Sequence, residues 1–384
     1  MISTPSLIKQ DNGAALQKAV WLLAAVALNA VELAIPRVPF LPWLKPGFAN
    51  IITILWIIRF GFTDAILYTA LRVWISGFYF GFSLFTLSLS FSGGLLSTVV
   101  MSALWVTLGK RKLIGTAGIA MTGALFHNAG QFFVVYFIMS QNISLLGQIP
   151  FMLGASIVFG GIVGILVPVA ARIIGFYGNA GNSIASVNIT VNQTAEFIDK
   201  IIVVLTFAAS ISLMFVNNFF VLTIAAILFS LTAVMINPKK PAVFFYPVKF
   251  YMLFIFIAAT YLFFSYGARL DLLPFLTRDG LFSFVKQSLR LWCWLQTVHI
   301  FKKFKFHELF MGALQKFFPG KKETLAAGMI ALKHFPEITR LAKSKTKIPI
   351  TALLLKPKMV LTEYMNSINS RIALIVDNEH VEKD

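Results

Sequence analysis

Residues 219–236 read FFVLTIAAILFSLTAVMI, an uninterrupted apolar run without one charged side chain. As a helix it would be about 27 Å long at 1.5 Å per residue, close to the roughly 30 Å hydrocarbon core of a bilayer. Further stretches of this texture lie on either side. Downstream, Phe244–Tyr266 is apolar, and the mixed segment Leu281–Ile300, carrying Lys286 and Arg290, reads as one more span or as a helix lying on the membrane surface. Upstream, Ile201–Val216 completes a second group of spans. A first group comprises Ala15–Ile35, Gly47–Gly61, Ala65–Phe80, Phe85–Leu108, Ile114–Met139 and Ile149–Ile174. The fold class expected is an all-α polytopic integral membrane protein.

Composition agrees. Of 384 residues, 58% are hydrophobic and 12% charged, about half the charge a soluble domain carries, which excludes a soluble globular enzyme. The net charge is +18, but the cations are diluted in apolar stretches, so nucleic acid is not the expected partner and position decides their meaning. With the N-terminus in the cytoplasm, Lys110-Arg111-Lys112, Arg172, Lys239-Lys240 and Lys302-Lys303-Lys305 all fall on the cytoplasmic side of a ten-span chain in the inner membrane. The polar start MISTPSLIKQDNGAA lacks the basic region of a cleaved signal peptide, so the first span is expected to be retained. The lone cysteine, Cys293, forms no internal disulfide and reads as a packed thiol.

The segment GFYGNAGNSIASVNITVNQTAEFIDK has no helical apolar period and divides the chain. Domains are expected at residues 1–175 and 200–361, with a polar linker at 176–199 and a polar tail at 362–384. Within the first, PRVPFLPWLKPGFAN carries four prolines that forbid helix and favour an extended lid bearing Phe40, Trp43 and Phe48. Polar residues then appear inside apolar spans: Asn29, Glu32, Asn50, Arg72, His127, Asn128 and Gln131. An ionisable group in a span lines a cavity or pairs with a partner. One reading places Arg72, His127, Asn128 and Gln131 around a polar or anionic ligand entering beside Trp43; the other pairs Glu32 with Arg72 and makes the amides interhelical bonds. Small-residue pairs Ala15/Ala19 and Ala30/Ala34 on the first span offer a packing face.

The runs LKPGFANIITI, FTDAILYTALRVWISGFYFG, LSFSGGLLSTVVM and GALFHNAGQ resemble the family called Gx transporter or heptaprenyl diphosphate synthase component I. That family is similar to the six-helix substrate-binding S components of energy-coupling factor (ECF) transporters. The resemblance covers about Glu32 to Ile174, and it implies that Gly47, Ala49, Asn50, Arg72, His127, Asn128 and Gln131 are characteristic positions. The runs DGLFSFVKQSLRLWCWLQTVHIF, FKFHELFMGALQKFFP and ETLAAGMIALKHFPEITRLAKSK resemble the T component of the same transporters, whose cytoplasmic coupling helices end in Ala-Arg-Gly-like motifs that dock on paired ATPases. The counterpart is Ala342-Lys343-Ser344 after Arg340. It lacks the arginine and glycine, and lysine does not reproduce the planar fork of arginine.

The expected function is therefore the membrane subunit of an ECF-type transporter. A small vitamin-like substrate, flavin first and a polyprenyl or quinone precursor second, would bind the S-like half, and the T-like half would couple to separate ATPases. The alternative is a non-catalytic membrane subunit assisting isoprenoid or quinone chemistry. Prenyl transfer needs clustered carboxylates on magnesium, yet Asp64, Asp199, Asp271 and Asp279 stand singly. No GxxxxGK[ST] loop occurs, PGKKET lacking the leading glycine, so no cofactor is expected in this chain and ATP with Mg would act through the partner ATPases. Last, Leu309, Phe310, Leu314, Phe317 and Phe318 alternate with Lys305, Lys316 and Lys321 as a basic amphipathic surface for a partner protein or anionic membrane lipid.

Overall fold

The computed structural model describes residues 5–34, 46–80, 84–140, 143–178, 197–263, 269–270, 273–304 and 306–332. Trp43 and the coupling residues Arg340, Ala342, Lys343 and Ser344 lie outside these residues, as does most of the linker.

Six helices form the first half: α1 Pro5–Ala34, α2 Ala49–Phe60, α3 Phe62–Phe80, α4 Leu84–Leu104, α5 Thr116–Val134 and α6 Ile149–Gly178. Wide π turns, Trp105–Gly109 and Val135–Ser140, prolong α4 and α5. The short α2 lies among the other five helices and is buried from Ala49 to Ile57, which explains why twelve residues too few to span alone are mostly apolar, Asn50 and Thr53 excepted. A tight reversal joins it to α3. Gly61 supplies φ +84° there, a left-handed conformation that a side chain would resist.

Close approach of backbones holds α4, α5 and α6 together. A Cβ on Gly164 would lie 2.3 Å from the Cα of Ala117, and one on Gly160 would lie 2.5 Å from the Cα of Met121. This Gly-xxx-Gly pair lets α6 touch the backbone of α5, where van der Waals contact replaces the hydrophobic effect that lipid cannot supply. The Thr116 hydroxyl donates to the Gly164 carbonyl at 3.0 Å across the same seam.

The second half comprises α7 Phe197–Ser212, α8 Phe219–Ile236, α9 Tyr251–Ala258, α10 Arg278–Lys303 and α11 Phe306–Phe317, followed by α12 at residues 322–332. A two-stranded antiparallel hairpin, β1 Arg269–Leu270 with β2 Leu273–Thr277, precedes α10. Asn218 caps α8 by accepting from the Phe220 amide at 2.9 Å, and Thr277 caps α10 by accepting from the Gly280 amide at 3.1 Å.

The helix read either as a tenth span or as a surface helix is a core element. Leu291, Cys293, Trp294, Leu295, Gln296, Thr297 and Val298 are consecutive or nearly so and all buried, so α10 is covered on every side along this stretch. That excludes the surface position. Several of its polar groups bond to protein: Arg290 donates to the Val216 carbonyl at 2.7 Å, Trp294 Nε1 to the Ser210 carbonyl at 2.8 Å, Trp292 Nε1 to Ser230 Oγ at 2.8 Å and Gln296 Nε2 to the Phe244 carbonyl at 2.7 Å. A helix packed within protein tolerates such residues, which is why its sequence looks only half apolar. Cys293 is a buried free thiol, as expected.

Four helical segments among the described residues are long and apolar enough to cross a membrane: Leu84–Gly109, Leu146–Arg172, Phe219–Ile236 and Pro241–Leu262. The chain is a membrane protein.

Candidate functional site

The site is assembled around the dipeptide Gly93-Gly94 on α4. A Cβ on Gly93 would lie 2.7 Å from the His127 carbonyl oxygen, 3.1 Å from the His127 ring and 3.0 Å from the Gln131 side chain, so α5 presses directly on α4 here. Ser92 Oγ donates to the Gly130 carbonyl at 2.7 Å in the same contact. These glycines give the runs FSGGLL and FHNAGQ their form: two backbones meet where side chains would hold them apart. On the adjoining face, a Cβ on Gly94 would lie 3.1 Å from Thr69 and 3.6 Å from the Arg72 guanidinium, both on α3. Thr69 and Thr98 share a hydrogen bond at 2.8 Å beside it, and Thr98 donates to the Gly94 carbonyl at 2.8 Å.

Arg72 is the feature of chemical consequence. Its residue is only 5% exposed, yet among the described residues the guanidinium makes no hydrogen bond and no ion pair; its one charge-related neighbour is the Tyr68 ring, 6.0 Å away. Among the described residues no ion pair joins Arg72 to Glu32, the partner that one of the two sequence readings gave it. Glu32 instead accepts from the Ala49 amide at 3.0 Å, where a carboxylate meets the first turn of α2 and its exposed N–H dipoles. Gly47, at φ +80°, turns the chain into that helix, and the Asn50 side chain folds against it.

The remaining predicted residues divide. His127 and Gln131 share a hydrogen bond between their side-chain nitrogens at 3.1 Å and face Gly93, whereas Asn128 turns to α6 and donates to Ser156 Oγ at 2.9 Å. Asn128 is therefore an interhelical tie. Buried polar atoms without a partner, the Gln131 carbonyl oxygen, Ser97 Oγ and Ser76 Oγ, accompany Arg72 on α5, α4 and α3. Spacing alone did not single out Ser76 and Ser97, although each lies one turn beyond a site position, four residues after Arg72 and Gly93 respectively. Among the described residues no group of three or more His, Cys, Asp or Glu converges as metal ligands would.

A second polar centre was not legible in the sequence. Asp64, read as a solitary carboxylate, accepts from Lys18 at 3.3 Å on α1 and from both Lys321 and Thr324 at the far end of the chain. Lys18 also reaches Glu323 at 2.9 Å and Thr324 Oγ1 at 3.0 Å.

No curated protein and no solved structure matches the chain. Residues 22–169, which contain Glu32, Asn50, Arg72, Gly93, His127, Asn128 and Gln131, match the family model for heptaprenyl diphosphate synthase component I.

Proposed function

We propose that the first half is a ligand-binding membrane domain of the ECF S-component type, and that the chain is the membrane subunit of a transporter powered by separate ATPases. The observation that carries the binding role is the buried guanidinium of Arg72, which meets no hydrogen-bond or ion-pair partner among the described residues, backed by unpartnered polar atoms of Ser76, Ser97 and Gln131 on α3, α4 and α5. A cation kept from water without an anion costs roughly 2.5–3.5 kcal/mol even at insertion-scale values, and an anionic ligand removes that cost. The ligand is accordingly a small molecule with an aromatic or isoprenoid body and a phosphate, diphosphate or carboxylate. Among flavins this favours the phosphorylated form over neutral riboflavin. The chain sits in the inner membrane with its N-terminus and its Lys- and Arg-rich loops on the cytoplasmic side.

The second reading is a non-catalytic membrane component that assists an isoprenoid diphosphate synthase, and the family match over residues 22–169 favours it. Both use the same anion site; the partner separates them. ATPases co-purifying with the detergent-solubilised protein support transport, whereas a soluble prenyltransferase supports the assisting role.

Titration calorimetry of the protein in nanodiscs with flavin mononucleotide and with a prenyl diphosphate tests the site itself. One of them should bind, and Arg72→Ala should weaken it by about 10- to 100-fold, the worth of a charge-assisted hydrogen bond. Binding unchanged in Arg72→Ala, with only thermal stability altered, would overturn the assignment.

A further inference from the structure

The basic amphipathic segment after α10 turns back on its own chain. α11 and α12 form a helical hairpin closed by Phe318-Pro319-Gly320-Lys321, and it lies along α3. Phe310 stacks on Trp74 with ring centroids 4.2 Å apart, Phe306 meets the edge of Trp74 at 4.8 Å, and Gly328 is so close to Leu71 that a Cβ would come within 2.8 Å of its side chain. Met311, Leu314, Leu325, Ala327 and Ala331 are buried. At the turn of the hairpin, Lys321 and Thr324 meet Asp64, and Lys18 bridges Asp64 to Glu323. Three ion pairs meet here, Lys18–Asp64, Lys18–Glu323 and Lys321–Asp64.

We propose that Asp64, with Lys18, Lys321 and Thr324, is a latch that fastens the C-terminal hairpin to the first helical bundle and so joins the two halves of the chain. Three physical points support it. Asp64 is buried and takes donors from two segments distant in sequence, so it has a full partner set only when the hairpin is seated. Lys18, itself buried, depends on the hairpin for two of its three acceptors. The apolar contact runs along one side of the hairpin, whose other side carries the exposed Lys316 and Lys322, so the segment can leave α3 as a unit once the charges part. Seated, the hairpin lies on the helix that carries Arg72; released, it leaves the packing of α10 on α4 as a remaining contact between the first bundle and the second half. The latch rests on these contacts alone and stands whether or not Arg72 binds an anion.

Hydrogen exchange of the full-length protein in nanodiscs, followed on peptides covering residues 306–332, tests it. The wild-type hairpin should exchange slowly. Asp64→Asn should accelerate these peptides by about tenfold or more, since the open population rises with the loss of a buried charge partner, while Asp64→Glu stays near wild type. Should Asp64→Asn fail to fold, Lys321→Met, which alters a partly exposed cation, should give a smaller acceleration confined to the same peptides. Rapid exchange of the wild-type hairpin, or no acceleration in either variant, would overturn the latch. An acceleration spread equally over α4–α6 would do so too, because it would report general destabilisation.

Discussion

At the scale of single residues, Arg72 and Asp64 show two outcomes for a buried charge. Among the described residues Arg72 meets no hydrogen-bond or ion-pair partner, the feature on which the proposed anion site rests; Asp64 is enclosed by donors. Burial by itself would raise the Asp64 carboxyl, but the hydrogen bonds from Lys321 and Thr324 and the charges of Lys18 and Lys321 outweigh it and hold the group below its ordinary value of 3.8. Asp64 precedes the apolar run from Ala65 to Phe80, at the reversal between α2 and α3. A carboxyl lowered on folding stabilises the structure above its unfolded value, and that stability is lost as pH falls through the lowered one. Lys18 faces it from α1, Lys321 and Thr324 from the hairpin, with Glu323 as the neighbouring carboxylate. Protection of residues 322–332, corrected for the pH dependence of intrinsic amide exchange, should therefore be insensitive to Asp64 between about pH 8 and pH 5, and fall in strong acid. A fall already at neutral pH would mean that Asp64 is not the group responsible.

At the scale of elements, the seams between helices are built by absent side chains. Gly160 and Gly164 place α6 on the backbone of α5, and Gly93 does the same for α4. Gly164→Leu would drive a side chain into the Ala117 backbone, so a loss of about 2–3 kcal/mol is expected from denaturant titration in detergent. Gly154, on the same helix with nothing within 4 Å of its added Cβ, is the control: Gly154→Ala should stabilise by up to about 1 kcal/mol, since it removes only backbone freedom. Equal effects at both positions would mean that the α5–α6 seam is looser than its contacts imply. The amphipathic segment gives the complementary lesson. Its apolar residues Leu309, Phe310, Leu314 and Phe318, expected to meet a partner protein or lipid, pack into the chain's own core, and only Phe317, 79% exposed, points outward.

For the whole molecule, the hairpin makes the second half reach across to the first. Cleavage at a protease site inserted in the polar stretch between α6 and α7 should leave the two halves associated on size exclusion in mild detergent. Adding Asp64→Asn should promote their separation. Dissociation of the cleaved wild-type chain would show that the covalent connection, and not the packing of α10, α11 and α12 on α3 and α4, holds the halves together.

The sequence by itself determined the membrane class and the approximate places of most helices, and it singled out Arg72, His127 and Gln131 as candidates. Those depend on local composition: uncharged runs such as residues 219–236 carry the span signal, and Arg72 stands out because arginine is costly among apolar neighbours. Only the tertiary structure decided what each polar group meets. His127 and Asn128 are adjacent in the chain but face different helices, because successive residues on a helix point about 100° apart and α4 and α6 flank α5 on different sides. The mixed composition of α10 left span and surface indistinguishable until its neighbours were seen to cover it. Asp64 looked solitary because Lys321 and Thr324 stand more than 250 residues away, a separation across which local pattern carries no information about contact.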